Sequence, residues 1–166
     1  GTLEGGDCFW LNSSTLAVGR GFRSNENGIH QMRDILSNLD INVVQFDLPP
    51  QDDPDACLHL MSVVSPLDHD LALIYEPLMP NNLQGVLKDF GYDLLSAPVN
   101  EFELSYGLSL NVLAVSERNV IAIEGFDETR ALLENAGCVV STFPGDELCI
   151  PREGGPTCLT RPVLRQ

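Results

Sequence analysis

The sequence predicts an α/β fold built from repeated strand-strand-helix-strand units. Short apolar runs with strand character come in pairs. Each pair is followed by one helical pattern and one further strand, and the whole order returns with a period near 50 residues. Trp10, His59 and Leu108 occupy matching places 49 residues apart, and the units close on Pro49, Pro98 and Pro144. At 166 residues, 43% of them hydrophobic, the chain is long enough and apolar enough to bury a sizeable core.

The first unit spans about 8–49. Residues 8–18, CFWLNSSTLAV, read as a hairpin, and GRGFRSNENG is a loop by its Gly, Asn and Ser content. Ile29, Met32, Ile35, Leu36 and Leu39 then follow helical spacing with Asn25 placed to cap the helix, and INVVQFDLPP is a strand ended by a proline pair. The second unit, 57–98, pairs CLHLMSVVSPL with DLALIYE, followed by a helix over 81–90 and the strand YDLLSAP. The third, 108–144, pairs LSLNVLAVS with NVIAIEG, followed by the helix DETRALLENAG and the strand CVVSTFPG. A unit of this kind cannot bury both faces alone, so neighbours must stack. The tail, 146–166, reads as the start of a further unit, and Leu3-Glu4-Gly5-Gly6-Asp7 enters a strand at once. Both ends read as the interior of a longer repeat protein.

Nine Lys and Arg stand against 24 Asp and Glu, a formal charge of -15. Nucleic acid is disfavoured, because neutralising phosphates takes clustered Lys and Arg, and so is an anionic membrane surface. Asp34, Asp40, Asp89, Asp127, Glu128 and Glu134 fall on polar helix positions and read as a solvated outer layer. No apolar run approaches a membrane span, and GTLEGGDCFW has no basic region followed by an apolar stretch, so it does not read as a signal peptide. Five cysteines without a Cys-x-x-Cys pair exclude a complete disulfide framework and argue against a structural zinc. Free thiols in a reducing cytoplasm are the simplest reading.

Three features could carry chemistry. In Leu3-Glu4-Gly5-Gly6-Asp7, two glycines between two carboxylates let both acids approach one cationic ligand. His59, alternating with Leu58 and Leu60 on a strand, can act as a general acid or base. Cys158 follows Gly154-Gly155-Pro156-Thr157, an approach open to substrate, and a thiolate there would be a nucleophile. Taken one at a time, each has a bland alternative: a polar turn, a structural histidine, a small buried residue. His30 and His69 read as surface residues, and Cys8, Cys57, Cys138 and Cys149 as buried apolar ones. Three dispersed histidines without a ligand-spaced pair speak against metal hydrolysis, and no protease signature surrounds Cys158.

Five segments occur in the order seen in guanidine-modifying penteins: Leu3-Glu4-Gly5-Gly6-Asp7, Gly19-Arg20-Gly21-Phe22-Arg23-Ser24-Asn25, Cys57-Leu58-His59-Leu60, Asn111-Val112-Leu113 and Gly154-Gly155-Pro156-Thr157-Cys158-Leu159-Thr160. Over essentially its whole length the chain resembles the dimethylarginine dimethylaminohydrolase, arginine deiminase and amidinotransferase group. The resemblance implies about three blades of a five-bladed α/β propeller, with residues 1–166 as the C-terminal part of a single pentein catalytic domain.

The resemblance also implies roles. Cys158 would attack the guanidinium carbon and form a thiouronium, His59 would move the protons, and Glu4 would support that chemistry. Arg23 would meet the substrate carboxylate, with Arg20 and Asp7 as weaker candidates for the same pocket. Deiminases carry His-Leu-Asp and Gly-Gly-Gly-x-His-Cys. Met61 stands here in place of the Asp, and Pro156 and Thr157 in place of the third Gly and the His, which leans toward dimethylargininases. The partner so implied is a small cationic guanidine, with no cofactor or metal. Hydrolysis, amidino transfer, and a non-catalytic association module with a vestigial site, forming homo-oligomers or pairing with N-terminal blades, all stay open. The 166 residues alone are expected to be weakly active or inactive.

Overall fold

The computed structural model describes residues 1–50 and 58–162. Cys57, and with it the expected first residue of the second unit, lies outside the described residues. The chain divides into two compact units, 1–62 with 77–91, and 63–76 with 92–166.

In the first compact unit, β1 (Cys8–Asn12) and β2 (Thr15–Arg20) pair antiparallel, with a bulge between Trp10 and Asn12. Asn12 makes the turn by accepting the backbone N–H of Ser14 on its side-chain oxygen. The chain crosses over through α1 (Glu26–Ser37) and returns as β3 (Asn42–Asp47), parallel to β2. The central strand β2 is buried along Thr15–Gly19, as its apolar run requires. Asn25 caps α1 as expected, its Oδ1 accepting the N–H of Gly28 at 2.9 Å.

Ile29 is fully buried with Cys8, Leu16 and Val18, and Met32 and Leu36 pack on that cluster. Deleting Ile29 to Ala would cost about 3 kcal/mol. Ile35 and Leu39, expected on the same stripe, are exposed. The buried face is the narrower 29, 32, 36 seam, because one sheet face covers only one turn-wide strip of helix. The unit also holds α2 (Leu83–Asp89), anchored by buried Leu83 and Leu87.

The second compact unit holds two sheets. In the first, β4 (Val64–Pro66) runs antiparallel to β5 (Leu71–Ile74), which runs parallel to β6 (Asp93–Ser96). In the next, β7 (Leu113–Ser116) and β8 (Asn119–Ile123) are antiparallel and β9 (Val139–Phe143) is parallel to β8. Between them in the chain is α3 (Val99–Leu104), a helix the repeat pattern did not announce; α4 (Asp127–Asn135) joins β8 to β9. Arg118, in the β7–β8 turn, ties the two sheets together. Its guanidinium donates to Asp68, to Asp70 and to the Ala136 carbonyl, the last at 2.8 Å.

The order of strands, helix and strand thus recurs three times. Its starts differ from the expectation. His59 is not on a strand: it precedes a 3₁₀ turn, Leu60–Ser62, and the strand begins only at Val64. Likewise Leu108–Leu110 is a 3₁₀ turn before β7. The residues 60, 61, 63 and 64 are all buried, and a short continuous apolar run carries no period by which to tell turn from strand. The first unit has the same opening turn at Gly5–Asp7. The equivalent of His59 is therefore near Glu4 and not Trp10, which lies inside β1.

The repeats share another device. Asp40, Gly91 and Gly137 stand in the left-handed region just after the three helices and turn the chain into β3, β6 and β9. After α4 this is a Schellman cap: Cys138 N–H donates to the Leu133 carbonyl and Gly137 N–H to that of Glu134, both at 3.0 Å.

Candidate active site

Three short segments of the first compact unit build one cluster. Gly5–Asp7 turns tightly, closed by Asp7 N–H on the Glu4 carbonyl at 3.1 Å, and buries the Asp7 carboxylate. Asp7 Oδ1 accepts the Leu60 N–H at 2.9 Å, and Oδ2 accepts the Ser24 hydroxyl at 2.6 Å. Ser24 Oγ in turn accepts the Glu4 N–H at 3.0 Å. Burial pushes the Asp7 carboxyl up from its ordinary value, and the bonds from Ser24 and Leu60 pull against that. Asp7, Ser24 and Leu60 thereby fix the three chain segments that carry Glu4, Arg23 and His59.

Those three side chains converge. Glu4 Oε2 lies 2.7 Å from His59 Nε2, and Oε1 accepts from Arg23 Nε at 2.8 Å. His59 adds a backbone bond, its N–H donating to Ser62 Oγ at 3.1 Å. The hydrogen bond from His59 first, then that from Arg23, holds the Glu4 carboxyl below the usual carboxylate range. A carboxylate only accepts, so Nε2 carries the proton in this pair. Gly6 is part of the design: a Cβ there would lie 2.9 Å from the His59 ring.

Arg20 has other partners. Its Nε and Nη2 form a two-pronged pair with Asp47, each at 2.8 Å, and Nη1 donates to Glu26. It stitches the end of β2 to β3 and to the start of α1. The structure thus groups Glu4, His59 and Arg23, engages Asp7 beneath them, and commits Arg20 to an ion-pair cluster of its own.

Cys158 belongs to the second compact unit, on the four-residue helix α5 (Pro156–Leu159) with Gly155 as its cap. Its thiol is exposed, whereas Cys8, Cys138 and Cys149 are buried. Burial pushes the Cys138 and Cys149 thiols up, away from reactivity. Among the described residues Cys158 is the accessible thiol. Asn111 Nδ2 stands 2.9 Å from its sulfur. The segment around Cys149 is a run of turns, not the strand its apolar residues suggested, and the described part of the tail, up to residue 162, forms no strand.

Two contributors escaped notice in the sequence. Ser24 follows Arg23 directly, but nothing local marks it as the link between Glu4 and Asp7. Asn111 stood inside a family-like segment without a role. His30 and His69 are exposed, as read. Asp68, His69 and Asp70 gather ligand-type atoms, yet Arg118 already neutralises both carboxylates and His69 Nδ1 pairs with Asp68 at 2.7 Å. Among the described residues no helix is long and apolar enough to cross a membrane.

The family described as arginine deiminase matches residues 1–101. The chain belongs to the arginine deiminase family, within the pentein superfamily. An arginine deiminase of Mycoplasma capricolum is 30% identical over 196 residues, covering 99% of this chain and 47% of its own. An uncharacterised protein of Aeropyrum pernix is 27% identical, covering 98% of this chain and 54% of its own. Among solved structures, an amidinotransferase of saxitoxin biosynthesis from Microseira wollei superposes with a TM-score of 0.80 at 21% identity, covering 97% of this chain and 47% of that one. The dimethylarginine dimethylaminohydrolase of Pseudomonas aeruginosa, solved with citrulline, gives 0.73 at 22% identity, covering 95% and 54%. The pentein fold is thereby shared. This arginine deiminase family chain spans about half the length of the curated relatives it matches.

Proposed function

We propose that this chain is the C-terminal part of a pentein catalytic domain that hydrolyses a guanidine or amidine carbon of arginine or a methylated arginine through a covalent Cys158 thiouronium. The observation that carries the reading is the 2.7 Å pair between Glu4 and His59, with Arg23 on the other carboxylate oxygen. It assembles a proton carrier, an acid to hold it and a guanidinium that suits a substrate carboxylate.

The chemistry runs in two displacements. The Cys158 thiolate forms a C–S bond to the cationic carbon, and the tetrahedral adduct expels an amine that takes its proton from His59. The flat thiouronium remains. Water, losing a proton to His59, adds to the same carbon, and the C–S bond breaks to return the thiolate and release a ureido product. Glu4 holds Nε2 of the ring and so fixes the orientation in which the imidazole would exchange protons with the reacting groups. The substrate carbon is already cationic, so the scheme calls for no metal.

Amidino transfer is the same first half with an amine in place of water. Turnover of arginine and methylated arginines by the full-length protein, read as citrulline formation, tests the hydrolysis. Product that instead incorporates an added primary amine would assign the transfer. Citrulline formation that survives Cys158→Ala would refute the covalent route. No turnover, with Cys158 slow toward thiol reagents at neutral pH, would leave the chain an association module with a vestigial site.

A further inference from the structure

We infer that Asn111 is a positioning residue for Cys158, turning the sulfur's lone pair toward a fixed amide N–H and so favouring the anion; the inference rests on the reading of Cys158 as nucleophile. The orientation of the Asn111 amide is settled by its neighbours. The Thr157 N–H can only donate, so the atom 2.8 Å from it is Oδ1. Nδ2 then faces Sγ at 2.9 Å. An amide nitrogen has no acceptor capacity, so the sulfur must accept. A thiolate accepts such a bond far better than a thiol.

The surroundings are built to keep this arrangement. Asn111 is buried at the end of the Leu108–Leu110 turn. Thr157 Oγ1 donates to the Val112 carbonyl at 3.1 Å, a second staple between the two segments. Pro156 opens α5 and has no N–H of its own, so Thr157 offers the first helical donor, and Asn111 takes it. Gly155 leaves the space: a Cβ there would lie 2.6 Å from Asn111 Cγ. Buried Cys149 is a titratable neighbour, its thiol pushed up by burial and then by the charge of Cys158.

The test is peptide-resolved alkylation of the 166-residue chain by iodoacetamide, with wild type, Asn111→Asp and Asn111→Leu compared at neutral pH and at a pH well above the ordinary thiol range. Buried Cys149 reports an intact fold. Asn111→Asp is isosteric and keeps an acceptor for the Thr157 N–H, but its charge itself disfavours a thiolate, so slowing is read from Asn111→Leu with Cys149 still buried, and Asn111→Asp serves to refute. At neutral pH both variants should alkylate at Cys158 roughly tenfold or more slowly. At high pH, where every thiol is ionised, the three should converge. A wild-type rate in Asn111→Asp at neutral pH overturns the inference. Equal slowing at both pH values overturns it too, since that marks a merely structural role. Alkylation needs no guanidine. Absent citrulline formation with this alkylation pattern intact would therefore retire the substrate reading and leave the role of Asn111 standing.

Discussion

Glu4 and His59 lie 55 positions apart in the chain and 2.7 Å apart in space. The contact depends on two tight 3₁₀ turns, Gly5–Asp7 and Leu60–Ser62, joined by the Asp7–Leu60 hydrogen bond. It orders the ring that would carry protons in the proposed reaction.

Glu4 should titrate below the ordinary glutamate range, as read from its side-chain carboxyl shift by NMR. His59→Ala and Arg23→Ala should each move it back up, since those two bonds hold it down. The sign for stability follows. A depressed folded value means that the Glu4 contribution is in place above the unfolded value and is lost as pH falls through the folded one. A Glu4→Gln variant should show a flatter melting-temperature profile across that acid window.

Asp7 should behave in the opposite sense. Its folded value is raised by burial, so the folded state holds the proton more tightly than the unfolded one. Its contribution therefore falls as pH rises from the unfolded value to the folded value. Asp7→Ala would strip the acceptors from Leu60 N–H and the Ser24 hydroxyl. Chemical denaturation should record a loss of about 2–4 kcal/mol. Asp7→Asn, which keeps an acceptor for Leu60, should lose less and should erase the pH slope.

Glu101 on α3 caps α4 from outside it. Its Oε1 accepts the Glu128 N–H, and its Oε2 accepts the Thr129 N–H and hydroxyl, at 2.8, 2.8 and 2.6 Å. The residue at the cap position, Phe126, supplies no side-chain bond. Glu101→Ala should cost about 1–2 kcal/mol. Hydrogen exchange at the Glu128 and Thr129 amides should speed up first. Unchanged protection there would refute the cap.

Gly137→Ala probes the repeat's turning device. Its φ is +85° and a Cβ would meet no atom, so the whole cost is backbone strain. That cost should be about 1–2 kcal/mol in thermal unfolding. Asp40→Gly, at φ 56° in the equivalent place, should cost nothing or stabilise slightly.

Much of the fold was legible in the residues. The returning strands and helices, the Asn25 cap and the buried Cys8 and Cys138 follow from local period and local chemistry. The opening turns at Leu60–Ser62 and Leu108–Leu110 were not legible, because an apolar run of four or five residues has no phase. Nor were Ile35 and Leu39, whose exposure depends on how wide a strip the sheet covers.

The residues proposed to carry function divide in the same way. Glu4, Arg23, His59 and Cys158 were singled out from the motifs in which they stand. Their partners were decided by tertiary structure: Glu4 with both Arg23 and His59, Asp7 beneath them, Arg20 with Asp47, and Asn111 against Cys158. Backbone periodicity is encoded within a few residues and can be read from them. A hydrogen bond across 47 or 55 positions depends on the closure of every turn between, and no local pattern records that.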